Sequence, residues 1–173
     1  MKLFVTLLLA FFFSVSSALA LTPAPTATPD VNSFELFWPL VAGKTVTDPV
    51  YKLKLFKEQL RGALIFGSLQ KADYSVFIAV KRSLELEKLL DQDNPPAAQK
   101  TASLVQQSLT KANSSVEKYK SAGNSDTAGI GPQMVTRLDN MTKLFTWLTT
   151  KNEQSKTLLQ PLLDQVSSLK TKL

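Results

Sequence analysis

From Ala98 onward the apolar residues fall at alternating gaps of four and three: Ala98, Ala102, Val105, Leu109, Ala112, Val116 and Tyr119. After an interruption the same alternation returns with Met134, Leu138, Met141, Phe145 and Leu148, then with Leu159, Leu162, Val166, Leu169 and Leu173. An α-helix turns every 3.6 residues, so this spacing draws a narrow stripe along one side of a helix, and a stripe that long has to be covered by other helices. A strand would need alternation of period two, which is absent. The small residues at several seam positions imply close helix approach.

The interruption SAGNSDTAGIGP, residues 121–132, reads as a loop. A second disturbance follows at polar Asn152 and Ser155. Thr150 with Glu153 could form a capping box, and Pro161 would remove a backbone bond and crowd the carbonyl four residues earlier. A kink or break is expected between about 150 and 161; one bent helix and two separate ones both fit this reading.

Upstream, Asp48 followed by Pro49 has the form of a helix start, a capping side chain with the ring at the first helical position. A helix to Phe66 would place Leu53, Phe56, Leu60 and Leu64 on one face and Lys52, Lys54, Lys57 and Arg61 around the rest. Gly67 offers a left-handed stop, with Ser68 able to cap the next helix. That helix, from Leu69 to about Leu90, is apolar over most of its circumference through Tyr74 to Val80, so it belongs at the centre of a bundle. In its charged stretch KRSLELEKLL, Glu85, Glu87 and Asp91 are expected to form a solvated face with Lys81, Arg82 and Lys88. Asp93 or Asn94 can cap the third helix, whose first positions are Pro95 and Pro96.

The first twenty residues read as an export signal: Lys2, the apolar run Leu3 to Val15, then Ser16, Ser17 and the small-x-small ending Ala18, Leu19, Ala20. Cleavage after Ala20 is expected; the alternative is an uncleaved N-terminal anchor, for which the run falls short of the ~20 apolar residues a spanning helix needs. Residues 21–33 hold Pro23, Pro25 and Pro29 and read as a flexible arm. An aromatic-rich knot follows, Phe34, Leu36, Phe37, Trp38, Leu40 and Val41. It fits either a strap across the helical core or an interfacial anchor, since Trp and Phe favour the headgroup zone.

Only six glycines and a 44% hydrophobic content support a helical globular domain with its own core. With no cysteine there is neither a disulfide framework nor a thiol for lipid attachment, so stability rests on apolar packing. The net charge of +6 favours anionic surfaces, which outside a cytoplasm are acidic lipids, cell-wall polymers or acidic glycans. It also serves simply to keep a protein dissolved. Nucleic acid is not expected as a partner, because no aromatic-plus-basic stacking pattern accompanies the charge.

Zero His and zero Cys remove the commonest general base, the thiol nucleophile and the preferred zinc ligands. Ser-x-x-Lys occurs at Ser68, Ser115 and Ser167, yet the Ser-Asp-Asn and Lys-Thr-Gly companions of penicillin-recognising enzymes are missing. A calcium loop opening at Asp91 fails at Pro96 and Ala102, where Gly and Glu are needed. Gly62 and Gly67 have P-loop spacing, but Ser68 stands where the lysine belongs. No catalytic, metal or cofactor residue is therefore assigned, and no enzyme activity is expected.

The stretch from Pro39 to Leu90 resembles a bacterial family catalogued as domain of unknown function 5667. Asp48, Pro49, Tyr51, Lys54, Gly67, Arg82 and Glu85 carry the resemblance, as an Asp-Pro start, a Lys-rich amphipathic helix, a short break and a second helix ending in Arg-x-x-Glu. The resemblance implies an exported helical protein of bacteria and supplies no catalytic or binding residues. This chain departs from the family in having more Ser and Thr and no His, which removes any His-dependent role here.

The expected architecture is all-α: a signal peptide over 1–20, a flexible arm with the aromatic knot over 21–47, and an antiparallel bundle of four or five helices over 48–173. The expected function is non-enzymatic, in the cell envelope or secreted fraction, through helix-mediated contact with an unknown protein partner or a second copy. The alternative is peripheral binding to an anionic membrane surface through Phe37, Trp38, Lys52, Lys54, Lys57 and Arg61.

Overall fold

The computed structural model describes residues 30–173 apart from 124, 125, 127 and 128, so the expected signal peptide and the first part of the arm lie outside the described residues. Six helices and no strand occur among the described residues. They are α1 (Ser33–Leu36), α2 (Tyr51–Ala63), α3 (Ser68–Asp91), α4 (Pro95–Ser121), α5 (Ile130–Lys151) and α6 (Lys156–Lys170), with a 3-10 turn at Glu153–Ser155. No described helix is long and apolar enough to cross a membrane.

The four long helices α3 to α6 form the bundle. Every seam residue from Ala98 to Val116, from Met134 to Leu148 and from Leu159 to Leu169 is buried, with Tyr119 and Leu173 packed at the edge. Leu69, Ala72, Val76, Ala79, Val80, Leu84, Leu86 and Leu89 complete the core from α3. Neighbours are antiparallel within the hairpins α3–α4 and α5–α6, as expected. Across the hairpins they are parallel: Asp73 meets Arg137 at one end of α3 and α5, and Asp91 meets Lys151 at the other. Gln165 likewise donates to Thr110 Oγ1 at 2.8 Å, and Lys172 pairs with Glu117 further along α6 and α4. Two antiparallel hairpins thus stack side by side, and the consecutive helices α4 and α5 lie diagonally.

Several element boundaries differ from the sequence reading. Asn94 does cap α4, its Oδ1 accepting from Ala97 N at 3.2 Å with Pro95 and Pro96 at the first positions. Asp48 and Pro49 form a turn ahead of α2 instead of its first turn; Asp48 Oδ1 accepts from Val50 N, and its carbonyl accepts from Tyr51 N, both at 3.0 Å. The Lys44 ammonium beside it holds the Asp48 carboxyl below its ordinary value. α2 stops at Ala63, three residues short of Phe66. Gly67 has φ +93°, a backbone conformation that residues with a side chain rarely adopt.

The last two helices are separate, and the break falls at Asn152, inside the expected interval 150–161. Asn152 takes an extended conformation and its Oδ1 accepts from Gln154 N at 3.0 Å, while Thr150 bonds back to the Trp147 carbonyl and forms no capping box with Glu153. Buried Ser155 donates to the Leu148 and Asn152 carbonyls. Pro161 is accommodated inside α6, where both it and Thr157, whose carbonyl loses its partner, face solvent.

Candidate functional site

The aromatic knot is divided between core and solvent. Asn32 caps α1 by accepting from Phe34 and Glu35 N, which turns Phe37 into the core while Leu36, Leu40, Ala42 and Val46 pack against its edge. Asn140 of α5 donates to the Leu36 carbonyl at 2.7 Å and fastens this strap to the bundle. The strap reading therefore describes Leu36, Phe37 and Leu40. Phe34, Trp38 and Val41 are exposed, Trp38 to 70% and edge-on to Phe34 with ring centroids 5.0 Å apart.

α2 lies antiparallel on the outer side of α3, with its apolar face outward. Tyr51, Lys54, Leu55, Glu58 and Gly62 recur on one side of the helix and face α3. Leu53, Phe56, Leu60 and Leu64 share a face, as their spacing requires, but that face points away from the bundle, and with Phe66 they are between 52% and 86% exposed. Lys57 and Arg61 border this ridge on one flank and Lys52 on the other, all exposed. Glu58, the one acid of α2, faces inward.

What holds the polar side down is a buried network that the sequence reading placed in solvent. Arg82 and Glu85 are 2% and 0% exposed. Arg82 donates to both Glu85 oxygens at 2.9 and 3.1 Å and pairs with Glu58 through its other terminal nitrogen. Lys81 reaches Glu58 at 3.2 Å. Lys54 pairs with Glu85 and also donates to the Lys44 carbonyl at 2.9 Å, so one ammonium ties strap, α2 and α3 together. The Tyr51 hydroxyl donates to Glu85 Oε2 at 3.1 Å, and the Arg82 guanidinium lies 5.2 Å from the centre of the Tyr51 ring. Taking carboxylates out of water costs several kcal/mol each unless cations and donors surround them. Here two carboxylates face three cations and a phenol.

Burial raises the Tyr51 hydroxyl above its ordinary value, reinforced by the Glu85 charge. Burial also lowers the Lys54 ammonium, with Glu85 opposing that shift. Glu87, expected in solvent, is raised by burial beside Ser33 of α1. Among the described residues no group of three or more His, Cys, Asp or Glu is placed to hold a metal ion.

Of the six residues proposed for surface contact, Trp38, Lys52, Lys57 and Arg61 are exposed. Phe37 and Lys54 are corrected: the first is a core residue and the second a partner of Glu85, so neither is offered to a surface. The outward ridge and the roles of Glu58 and Lys81 escaped the sequence reading. The one available signal was α3 itself, apolar on so many sides that something had to cover its outer face.

Four of the residues that carry the family resemblance, Tyr51, Lys54, Arg82 and Glu85, meet in this network. The model of the family described as Domain of unknown function (DUF5667) matches residues 44–169, from the strap to the last buried turn of α6. No curated protein and no solved structure matches the chain. The match takes in the latch, the ridge and all four bundle helices, and the chain therefore belongs to the DUF5667 family.

Proposed function

We infer that the chain is an exported, non-enzymatic helical protein of the cell envelope or secreted fraction, which works by docking the outer face of α2 onto an anionic membrane surface. The observation that carries this reading is the inverted seating of α2: its polar side is latched to α3, while Leu53, Phe56, Leu60 and Leu64 remain uncovered. Burying one such side chain fully contributes about 1.5–3 kcal/mol. Each of Lys52, Lys57 and Arg61 adds about 1 kcal/mol near anionic headgroups. No acid on this face opposes the attraction, and exposed Trp38 is suited to the headgroup zone. The absence of His and Cys supports the non-enzymatic part, and the signal-like residues 1–20 support export.

Self-pairing through α2 is disfavoured, because it sets Lys52, Lys57 and Arg61 of one copy against the same cations of another. Helix-mediated contact with an acidic partner protein is the second reading. It is favoured by the three-four-four spacing of the ridge, which suits a helical partner.

Flotation with vesicles containing anionic lipid, against zwitterionic vesicles, tests the choice. Binding at low salt that is lost in a Leu53→Ser/Leu60→Ser variant and in Lys57→Gln/Arg61→Gln is the expected result. Absence of flotation, together with a crosslinked envelope protein that the Leu60→Ser change abolishes, would transfer the function to the protein-contact reading.

A further inference from the structure

On the other flank of α2, an open cleft of about 460 Å³ runs between α2, α3 and α4. Its floor is Leu55, Ile78 and Leu104 with Tyr74, whose hydroxyl donates to the Glu58 carbonyl at 3.0 Å. Gly62 allows α2 to close against Tyr74, because a Cβ there would lie 3.1 Å from the ring. Along the rim stand Lys71, Lys111 and Lys118. Among the described residues none of the three has a carboxylate within ion-pair distance. The one carboxylate lining the cleft, Glu58, is already held by Lys81 and Arg82.

Arg82 also lines the cleft, and both its terminal nitrogens are held by Glu58 and Glu85. Ser75 and Ser108 donate to the Lys71 and Leu104 carbonyls, so their oxygens face the cleft as acceptors. Lys111 and Lys118 are two helical turns apart, about 10 Å along α4, which spreads the charge along an elongated trough. Cations that take anionic groups, acceptors that take hydroxyls and an apolar floor with one aromatic ring together describe an extended ligand.

We propose that this cleft binds a segment of an anionic polyhydroxylated chain, such as an acidic glycan or a polyol phosphate. Lys71, Lys111 and Lys118 engage its charges, and the serine oxygens accept from its hydroxyls. The site is independent of the outward ridge, since the two lie on different flanks of α2.

The experiment is titration of the full chain, freed of its signal segment, with oligogalacturonate and separately with poly(glycerol phosphate), dextran serving as the uncharged chain. Saturable binding of at least one anionic chain and none of dextran is expected, and the two arms identify which chemistry is taken. Lys111→Gln/Lys118→Gln should weaken binding at least about ten-fold and lower the log–log salt slope by about 0.7 for each lysine. Lys100→Gln/Lys120→Gln removes the same charge from exposed positions outside the cleft and should cost less than about two-fold. Binding of neither anionic chain, or equal losses in the two double variants, overturns the proposal. Leu53→Ser/Leu60→Ser should leave this binding unchanged, so failure here is distinguishable from failure of membrane docking.

Discussion

α4 and α2 are both amphipathic helices, and they are seated opposite ways round. In α4 the stripe Ala98, Ala102, Val105, Leu109, Ala112 and Val116 turns inward and the lysines turn out. In α2 Lys54 and Glu58 approach α3, and the stripe Leu53, Phe56, Leu60 and Leu64 turns out. The bundle uses its seams to exclude water; the α2 contact uses matched charges to fix position. Apolar packing tolerates a range of partners, whereas a charge network specifies one register, because displacing a member strands its partner in a dry place. The α2 contact therefore positions a surface, while the seams hold the molecule together.

Truncating each side should separate these roles. Phe145→Ala, in the middle of the α5 seam, should cost about 3–5 kcal/mol of global stability in urea unfolding, from lost transfer and an unfilled cavity. A loss below about 1 kcal/mol would show that the seam does not carry the fold. Glu85→Ala strands Arg82 and Lys54, and should cost about 3 kcal/mol. Its effect should be local: amide exchange should accelerate throughout α2 and the strap while α4 and α5 keep their protection. Uniform acceleration would erase the distinction between latch and seam.

Tyr51→Phe should cost about 1–2 kcal/mol near pH 7 by removing the hydrogen bond to a charged acceptor. The sign with pH follows from the raised hydroxyl. A group whose folded value lies above its ordinary 10.0 contributes stability that is complete below pH 10 and lost as pH rises beyond it. The wild-type advantage over Tyr51→Phe should therefore narrow by about pH 11 in paired urea titrations. Leu60→Ser, on the outward ridge, should change stability by less than about 0.5 kcal/mol. A larger loss would mean that the ridge is covered in the free protein.

The seams were legible because four-three spacing has one reading at that length, and each residue it named from Ala98 to Val116 is buried. The start of α4 was legible because prolines fit a helix best in its first turn, with Asp93 and Asn94 both left as candidate caps, of which Asn94 is the one used. The orientation of α2 was not. Periodicity reports which residues share a face and says nothing about which face meets a neighbour, and Leu53, Phe56, Leu60 and Leu64 do share a face. Arg82 and Glu85 look like an ordinary exposed pair one turn apart; they are buried because α2 covers them with Tyr51, Lys54 and Glu58, contacts 24 to 34 positions away. The break at Asn152 lies inside the interval 150–161 that the polar residues and Pro161 marked together. Which of those signals ends the helix was not legible, and Pro161 sits inside α6 with the carbonyl it frees turned to solvent.

The side-by-side stacking of two hairpins has a consequence for how the chain assembles. Partners inside α3–α4 meet across a short turn, whereas bridges between hairpins, Asp73 with Arg137 and Glu117 with Lys172, join positions 64 and 55 residues apart. Closing the short loops costs less entropy, so each hairpin can zip as a nearly autonomous early event, with mutual docking as the pace-setting step. A backbone nick between 122 and 129 would convert that last step into a second-order reaction between two fragments, whose rate should scale with their concentration.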